Sequence, residues 1–248
     1  MFKPGIDPVI SLIGAGGKTS ILYYFGDCSS RMGEKVVLTT TTKVFPVERE
    51  GVPLLLEEDR EKRAQKAGEL LKTHSLIQVG AEITGEKVIG IDRETVQDFL
   101  QNGADRVIVE ADGARGLPLK FPAEHEPALP FPPGRVFLVI GAWALGQPFS
   151  EKIFHRPELA RRYLNWKEGQ LIEGEHIADL LLHPKSYLPR LEGKKISVIL
   201  NGVRGMWQEN EAKRIGVILF RKSRVGNIYL ANLKDQPILW KLLTRRQE

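Results

Sequence analysis

Residues 8–20, PVISLIGAGGKTS, are the stretch on which the fold turns. An apolar run, Val9 to Ile13, enters a glycine-rich turn that ends in Gly17-Lys18-Thr19, and a helix-forming segment, SILYYF, follows at once. Strand, glycine turn, lysine, hydroxyl and helix are the parts of a phosphate-binding loop. Glycines let backbone N–H groups converge on phosphate oxygens without Cβ clashes, and the helix N-terminus adds its partial positive charge. Gly14, Ala15, Gly16, Gly17, Lys18, Thr19 and Ser20 are therefore expected to hold a nucleotide. Lys18 would neutralise the β- and γ-phosphates, and the Thr19 hydroxyl would ligate Mg²⁺.

The loop is shorter than the full G-x-x-x-x-G-K-[ST] pattern, whose first glycine would fall at Leu12. The stretch from Gly14 to Thr19 resembles the G-x-x-G-K-[ST] loop of the Mur ligases as much as the standard one.

Working outward, strand-like and helix-like runs alternate. The strand candidates are Val9–Ile13, Val36–Thr40, Leu76–Val79, Val107–Glu110, Val136–Ile140, Ile196–Leu200 and Ile228–Leu230. Most are continuous apolar runs, which suit strands buried on both faces of a parallel sheet. The helix candidates are Thr19–Ser30, Asp59–Lys72, Thr95–Asn102, Pro157–Asn165, Glu175–Leu182 and Gln208–Phe220, with Pro157 as a start signal and Gly103 as a stop. This order predicts an α/β fold: a doubly wound, mostly parallel sheet with helices on both faces, like that of P-loop nucleotide hydrolases. The reading gives one domain over 1–248, a small hairpin insertion near 81–91 with Gly85 in its turn, and a long active-site loop over 113–134. Ligands of such sheets bind beyond the carboxyl ends of the strands.

Two further motifs fall at that edge. Val107-Ile108-Val109-Glu110-Ala111-Asp112-Gly113 is a hydrophobic strand ending in carboxylates. In nucleotide hydrolases this position serves the metal and orders the attacking water. Read as E-x-x-G, Glu110 is the metal-side acid and the Gly113 N–H faces the γ-phosphate; Asp112 is the competing acid. The second motif is Thr39-Thr40-Thr41-Thr42-Lys43, whose hydroxyls reach the edge of the sheet. Thr41 and Thr42 lie past the strand, and Thr41 joins Thr19, Glu110 and Asp112 as a Mg²⁺ candidate. The plainer reading of the threonines is β-propensity.

Asn201-Gly202-Val203-Arg204 occupies the place where GTPases carry N-K-x-D. Asn201 matches and is a nucleotide-binding candidate. The aspartate position holds Arg204, which has donors only and cannot accept the N1 and N2 hydrogens of guanine. ATP or GTP, with loose base selection, is the expected nucleotide.

The segment from Gly113 to Pro130 gathers Arg115, Lys120, Glu124, His125 and Glu126. Arg115 or Lys120 could stabilise transition-state charge, and Lys120 is taken as a catalytic candidate because Leu119 and Phe121 flank it. His125 reads as a solvated loop residue. His155-Arg156-Pro157 opens a helix, and His74, His176 and His183 form no ligand spacing.

Composition sets the outer limits. Hydrophobic residues make up 42% and charged residues 27% of the 248, ordinary for a soluble globular chain. No apolar run reaches the roughly 18 residues of a membrane span, and Met1 to Gly5 has no secretory pattern. One cysteine, Cys28, excludes internal disulfides and suits the cytoplasm. A net charge of +5 suits anionic small ligands and is too dispersed to argue for nucleic acid. The basic tail, Lys241 to Arg246, reads as a solvated last helical turn.

GAGGKTS, TTTTKVF, VEADGARGLPLKFPAEHEP and FHRPEL together resemble the selenium-dependent hydroxylase accessory protein family, the YqeC family. The resemblance runs from Ile10 to about Val203, and Glu110 to Pro127 is its most specific part. It implies a cytoplasmic P-loop protein that helps mature selenium-dependent molybdenum hydroxylases, with nucleotide bound at Gly14, Gly16, Gly17, Lys18 and Thr19. A molybdenum hydroxylase apoenzyme, or its cofactor, is the implied partner. The E-x-x-G form is also similar to the metallochaperone branch of P-loop GTPases. Three activities stay open: nucleotide hydrolysis coupled to a client, a nucleotide-dependent small-molecule transferase or ligase, and a switch that binds without turnover.

Overall fold

A computed structural model describes residues 7–43, 49–233 and 238–244. The chain opens with β1 (Val9–Gly14), α1 (Lys18–Arg31), β2 (Val36–Thr40), β3 (Leu54–Leu56), α2 (Arg60–Leu71) and β4 (Leu76–Gly80). A small hairpin, β5 (Ile83–Thr84) and β6 (Lys87–Val88), precedes α3 (Thr95–Gln101) and β7 (Arg106–Glu110). Then come β8 (Leu119–Lys120), β9 (Arg135–Gly141), β10 (Phe154–His155), α4 (Pro157–Leu164), α5 (Gly174–Leu182) and α6 (Tyr187–Arg190). The last elements are β11 (Lys195–Asn201), α7 (Gly205–Lys222), β12 (Asn227–Asn232) and β13 (Ile238–Thr244).

Nine strands form one mostly parallel sheet in the order β13-β12-β11-β9-β1-β7-β2-β4-β3. The expected α/β class therefore holds. The chain divides into two compact units. The first comprises Met1–Leu12, Thr19–Gly113 and Ala128–Arg135; the second comprises Ile13–Lys18, Ala114–Pro127 and Val136–Glu248.

In the first unit β2 pairs in parallel with both β7 and β4, and β4 with β3. Every residue of β2, β4 and β7 is buried, which explains why these strands read as mainly apolar without a period of two. Arg106 starts β7 almost wholly enclosed. Its Nε and Nη2 each donate to Glu34 at 2.6 Å, and its Nη1 donates to the Asp7 carbonyl at 2.7 Å. The fork geometry of arginine lets one side chain satisfy several acceptors. At α2 the Asp59 carboxylate caps the helix by accepting from the Lys62 N–H at 2.8 Å.

In the second unit β11 and β12 are parallel and β13 returns antiparallel to β12. This corrects the reading of the basic tail as a last helical turn: Lys241–Thr244 belong to the edge strand Ile238–Thr244, set by backbone pairing from Asn227↔Thr244 to Asn232↔Ile238, while Arg245 and Arg246 lie outside the described residues. Phe149, Phe154 and Trp166 pack edge to face, with ring centroids 5.2–5.4 Å apart. The strands that sequence periodicity passed over, β3, β8 and β10, have only two or three residues each, too few to show a period.

Candidate functional site

The glycine loop belongs to the second unit. Gly14, Gly16 and Gly17 all have left-handed φ, +96°, +94° and +95°. At Gly16 crowding adds to the dihedral requirement: a Cβ would stand 2.1 Å from the Gly141 nitrogen. Hydrogen bonds pin the loop. Ala15 N–H donates to Val139 O at 2.9 Å, Gly16 N–H to Leu117 O at 3.0 Å, and the Asn201 amide to Gly16 O at 2.9 Å. Lys18 is the first residue of α1, only 3% exposed, and its Nζ donates to Gly14 O at 2.8 Å. The ammonium is thus turned back onto the first residue of the loop.

The next residue in the chain, Thr19, belongs to the first unit. Its hydroxyl donates to Glu110 Oε2 at 2.9 Å. Glu110 ends β7, buried, with Leu12 and Thr40 as its register partners on either side. The threonine run secures this strand tip. Thr40 Oγ1 and Thr41 N–H both donate to Glu110 O, at 2.9 and 3.1 Å. Thr41 Oγ1 donates to Ala128 O at 2.6 Å, and Thr42 N–H donates to Thr40 Oγ1 at 3.0 Å. Thr19 thus gives its hydroxyl to the Glu110 carboxylate, while the Thr40 and Thr41 hydroxyls go to main-chain carbonyls. Asp112 lies beyond the end of the strand and is fully buried. Gly113 has open space where a Cβ would stand, and Ser20 is exposed.

Tyr23, one turn along α1 from Thr19, went unnoticed in the sequence. Its hydroxyl hydrogen-bonds Gln78, and the Arg49 guanidinium lies 5.4 Å from the ring centroid. Burial, with the Glu110 charge adding to it and Arg49 opposing, pushes the Tyr23 phenol up to about 12. The phenol stays a proton donor across the physiological range.

The paired oxygens of Thr19 and Glu110 are hard donors of the kind Mg²⁺ takes, so the residues present suit that ion.

Asn201 ends β11. Its amide nitrogen holds Gly16 O, and its Oδ1 accepts from Leu233 N–H at 3.3 Å. Both ends of the amide are engaged, so Asn201 braces the loop.

The segment after Gly113 holds a buried ionic cluster in the second unit. β8 and β10 pair in parallel, with His155 opposite Lys120. Lys120 has no exposed side-chain surface and lies 2.9 Å from Glu126 Oε2. Arg156 Nη1 donates to the same oxygen at 2.8 Å and Nη2 to Oε1 at 3.2 Å. Arg190 clamps the turn by donating to the Ala123 and Glu126 carbonyls at 2.5 and 2.6 Å. Burial pushes the Glu126 carboxyl up, but the Lys120 charge and hydrogen bonds from Ala123, Lys120 and Arg156 outweigh it and leave the pKa at about 2. His155 is pushed down to about 4 by burial first, then by Arg156, Lys120 and Arg115. Lys120, Glu126 and Arg156 are thus joined, while Arg115 and His125 are exposed. No periodicity links Lys120, Glu126 and Arg156 in sequence; only the pairing of β8 with β10 and the turn clamped by Arg190 join them.

His176 and His183 line a cleft of about 490 Å³ with Trp166 and Asp179. Their Nδ1 atoms accept backbone N–H groups from Glu173 and Lys185, each at 3.1 Å. Among the described residues no helix is long and apolar enough to cross a membrane.

Comparison with known proteins agrees with the sequence motifs. The chain is 35% identical over 150 residues to the Escherichia coli (strain K12) protein described as "Uncharacterized protein YqeC". The match covers 60% of this chain and 57% of that relative's length. The family model described as YqeC protein matches residues 10–158, which include the glycine loop, the Glu110 strand and the Lys120–Glu126–Arg156 cluster. With more than half of its length matched, the chain belongs to the YqeC protein family.

Proposed function

We propose that this chain binds a Mg-nucleoside triphosphate through Gly14–Thr19 and hydrolyses it. The observation that carries the reading is the 2.9 Å hydrogen bond from the Thr19 hydroxyl to Glu110, made by the residue that directly follows Lys18. A hydroxyl and a carboxylate so joined, after three left-handed glycines and a buried lysine, supply the polar groups that a polyphosphate and its counter-ion require. Thr19 and Glu110 would hold Mg²⁺, which when bound neutralises phosphate charge. The loop amides and Lys18 orient the phosphates. Glu110 and Asp112 are the carboxylates available to order the attacking water. Asn201 keeps the loop in shape.

The family resemblance supports a role for this turnover as an accessory step in maturing selenium-dependent molybdenum hydroxylases. A second reading, a nucleotide-dependent small-molecule transferase or ligase, is favoured by the short six-residue loop and its likeness to that of the Mur ligases.

The test is calorimetry with ATP, GTP and CTP in the presence of Mg²⁺, together with phosphate release. Lys18→Ala should lose nucleotide affinity by about a hundredfold while retaining its fold, because the one ammonium in the loop is gone. Glu110→Gln should bind with much reduced dependence on Mg²⁺. Unchanged affinity in Lys18→Ala would remove the phosphate assignment. Stimulation by a hydroxylase apoenzyme supports the accessory role; strict dependence on a small substrate supports the second reading.

A further inference from the structure

The second unit carries two exposed indoles, and one of them, Trp143, adjoins the glycine loop through Gly141. Trp143 is 38% exposed and Trp207 52% exposed. Gly16 packs directly on Gly141, and Trp143 follows Gly141 by two residues in the turn Ala142–Ala144. The Trp143 ring rests on two glycines. Its Cη2 lies 3.0 Å from the point where Gly141 would carry a Cβ, and its Cε3 lies 2.7 Å from the same point on Gly202. Gly202 follows Asn201, whose amide holds Gly16 O. Both backbone stretches beneath the indole therefore also touch the central residue of the loop.

The same geometry bears on the lysine position of N-K-x-D, which is Gly202 here. Position 202 has φ +76°, and any side chain there would meet the Trp143 ring. A lysine at 202 and this indole position exclude one another. Arg204, in place of the aspartate, has no acceptor for a base edge.

We propose that Trp143 is the platform on which the nucleobase stacks, so that the base is held by its face instead of being read at its edge. The proposal rests on the nucleotide-binding reading above and names the base subsite of that site. Stacking on an aromatic ring tolerates every base, because each has a π-face. Affinities for ATP, GTP and CTP should therefore agree within a few-fold.

The experiment compares Mg·ATP with inorganic tripolyphosphate by calorimetry in the native chain, Trp143→Ala and Trp143→Phe. Tripolyphosphate reports the loop without the base, and its binding also shows that each variant is folded. Trp143→Ala should weaken ATP and GTP about tenfold or more while leaving tripolyphosphate within twofold, and Trp143→Phe should recover most of the loss. Equal weakening of ATP and tripolyphosphate, or no change in ATP, overturns the stacking assignment and leaves the phosphate loop standing. If the native chain binds neither ATP nor tripolyphosphate, the phosphate-loop reading fails, and the base platform fails with it.

Discussion

Replacing Glu126 with glutamine puts a number on the buried ionic cluster. The substitution keeps the shape and removes the carboxylate charge 2.9 Å from Lys120, whose side chain has no exposure. The native carboxyl falls from 4.5 to about 2. At about 1.4 kcal/mol per pKa unit, that drop corresponds to roughly 3 kcal/mol of stability. Breaking a buried pair from one side costs about 3–5 kcal/mol, so the two routes agree. In urea, with a slope of about 3 kcal/mol per molar for a chain of this size, the midpoint should fall by about 1 M. The sign with pH follows from the lowered folded value. The stabilisation is complete above 4.5 and is lost as pH falls from there toward 2. The difference between native and Glu126→Gln chains should therefore be full at neutral pH and shrink steadily through that acid window. A neutral-pH midpoint shift below about 0.2 M, or a difference that does not change with pH, would refute the reasoning.

Gly16→Ala demands both a left-handed φ and a Cβ 2.1 Å from the Gly141 nitrogen, so it should cost about 3 kcal/mol or more, a fall of about 6–12 °C in the thermal midpoint. A fall of less than about 2 °C would show that the loop relaxes freely. Asn201→Ala removes the donor to Gly16 O and the acceptor of Leu233 N–H, and should cost about 1–3 kcal/mol of stability. It should weaken ATP and GTP by the same factor, because the residue braces the loop; a changed ATP-to-GTP ratio would instead give it a part in base selection.

How much could be read in advance varied with the range of the interaction. Short-range features were legible. Val36–Thr40 was bounded correctly as a strand, because its residues are all β-branched or apolar and it follows a polar break. Pro157 opened α4 as expected, because its fixed φ suits a first helical turn. The reading of Lys241 onward as a last helical turn failed for Lys241–Thr244, because so short a segment carries no period that separates a strand from a helix, and the antiparallel pairing with β12 decides the matter. The candidate site divided in the same way. Gly14 to Thr19 stood out because its chemistry is local to one turn. The choice between Glu110 and Asp112 as partner of Thr19 did not, because Thr19 and Glu110 are 91 positions apart and meet through the parallel pairing of β1 with β7.

Sequence alone determined the family, the α/β class and the glycine loop, because each is written in contiguous residues or in the order of short periodic runs. Only the tertiary structure decided that Asn201 holds Gly16, that Lys120 and Arg156 share Glu126, and that the Trp143 ring lies on Gly202. Those contacts join residues that lie six to 185 positions apart in the chain, and only the pairing of strands brings most of them within reach.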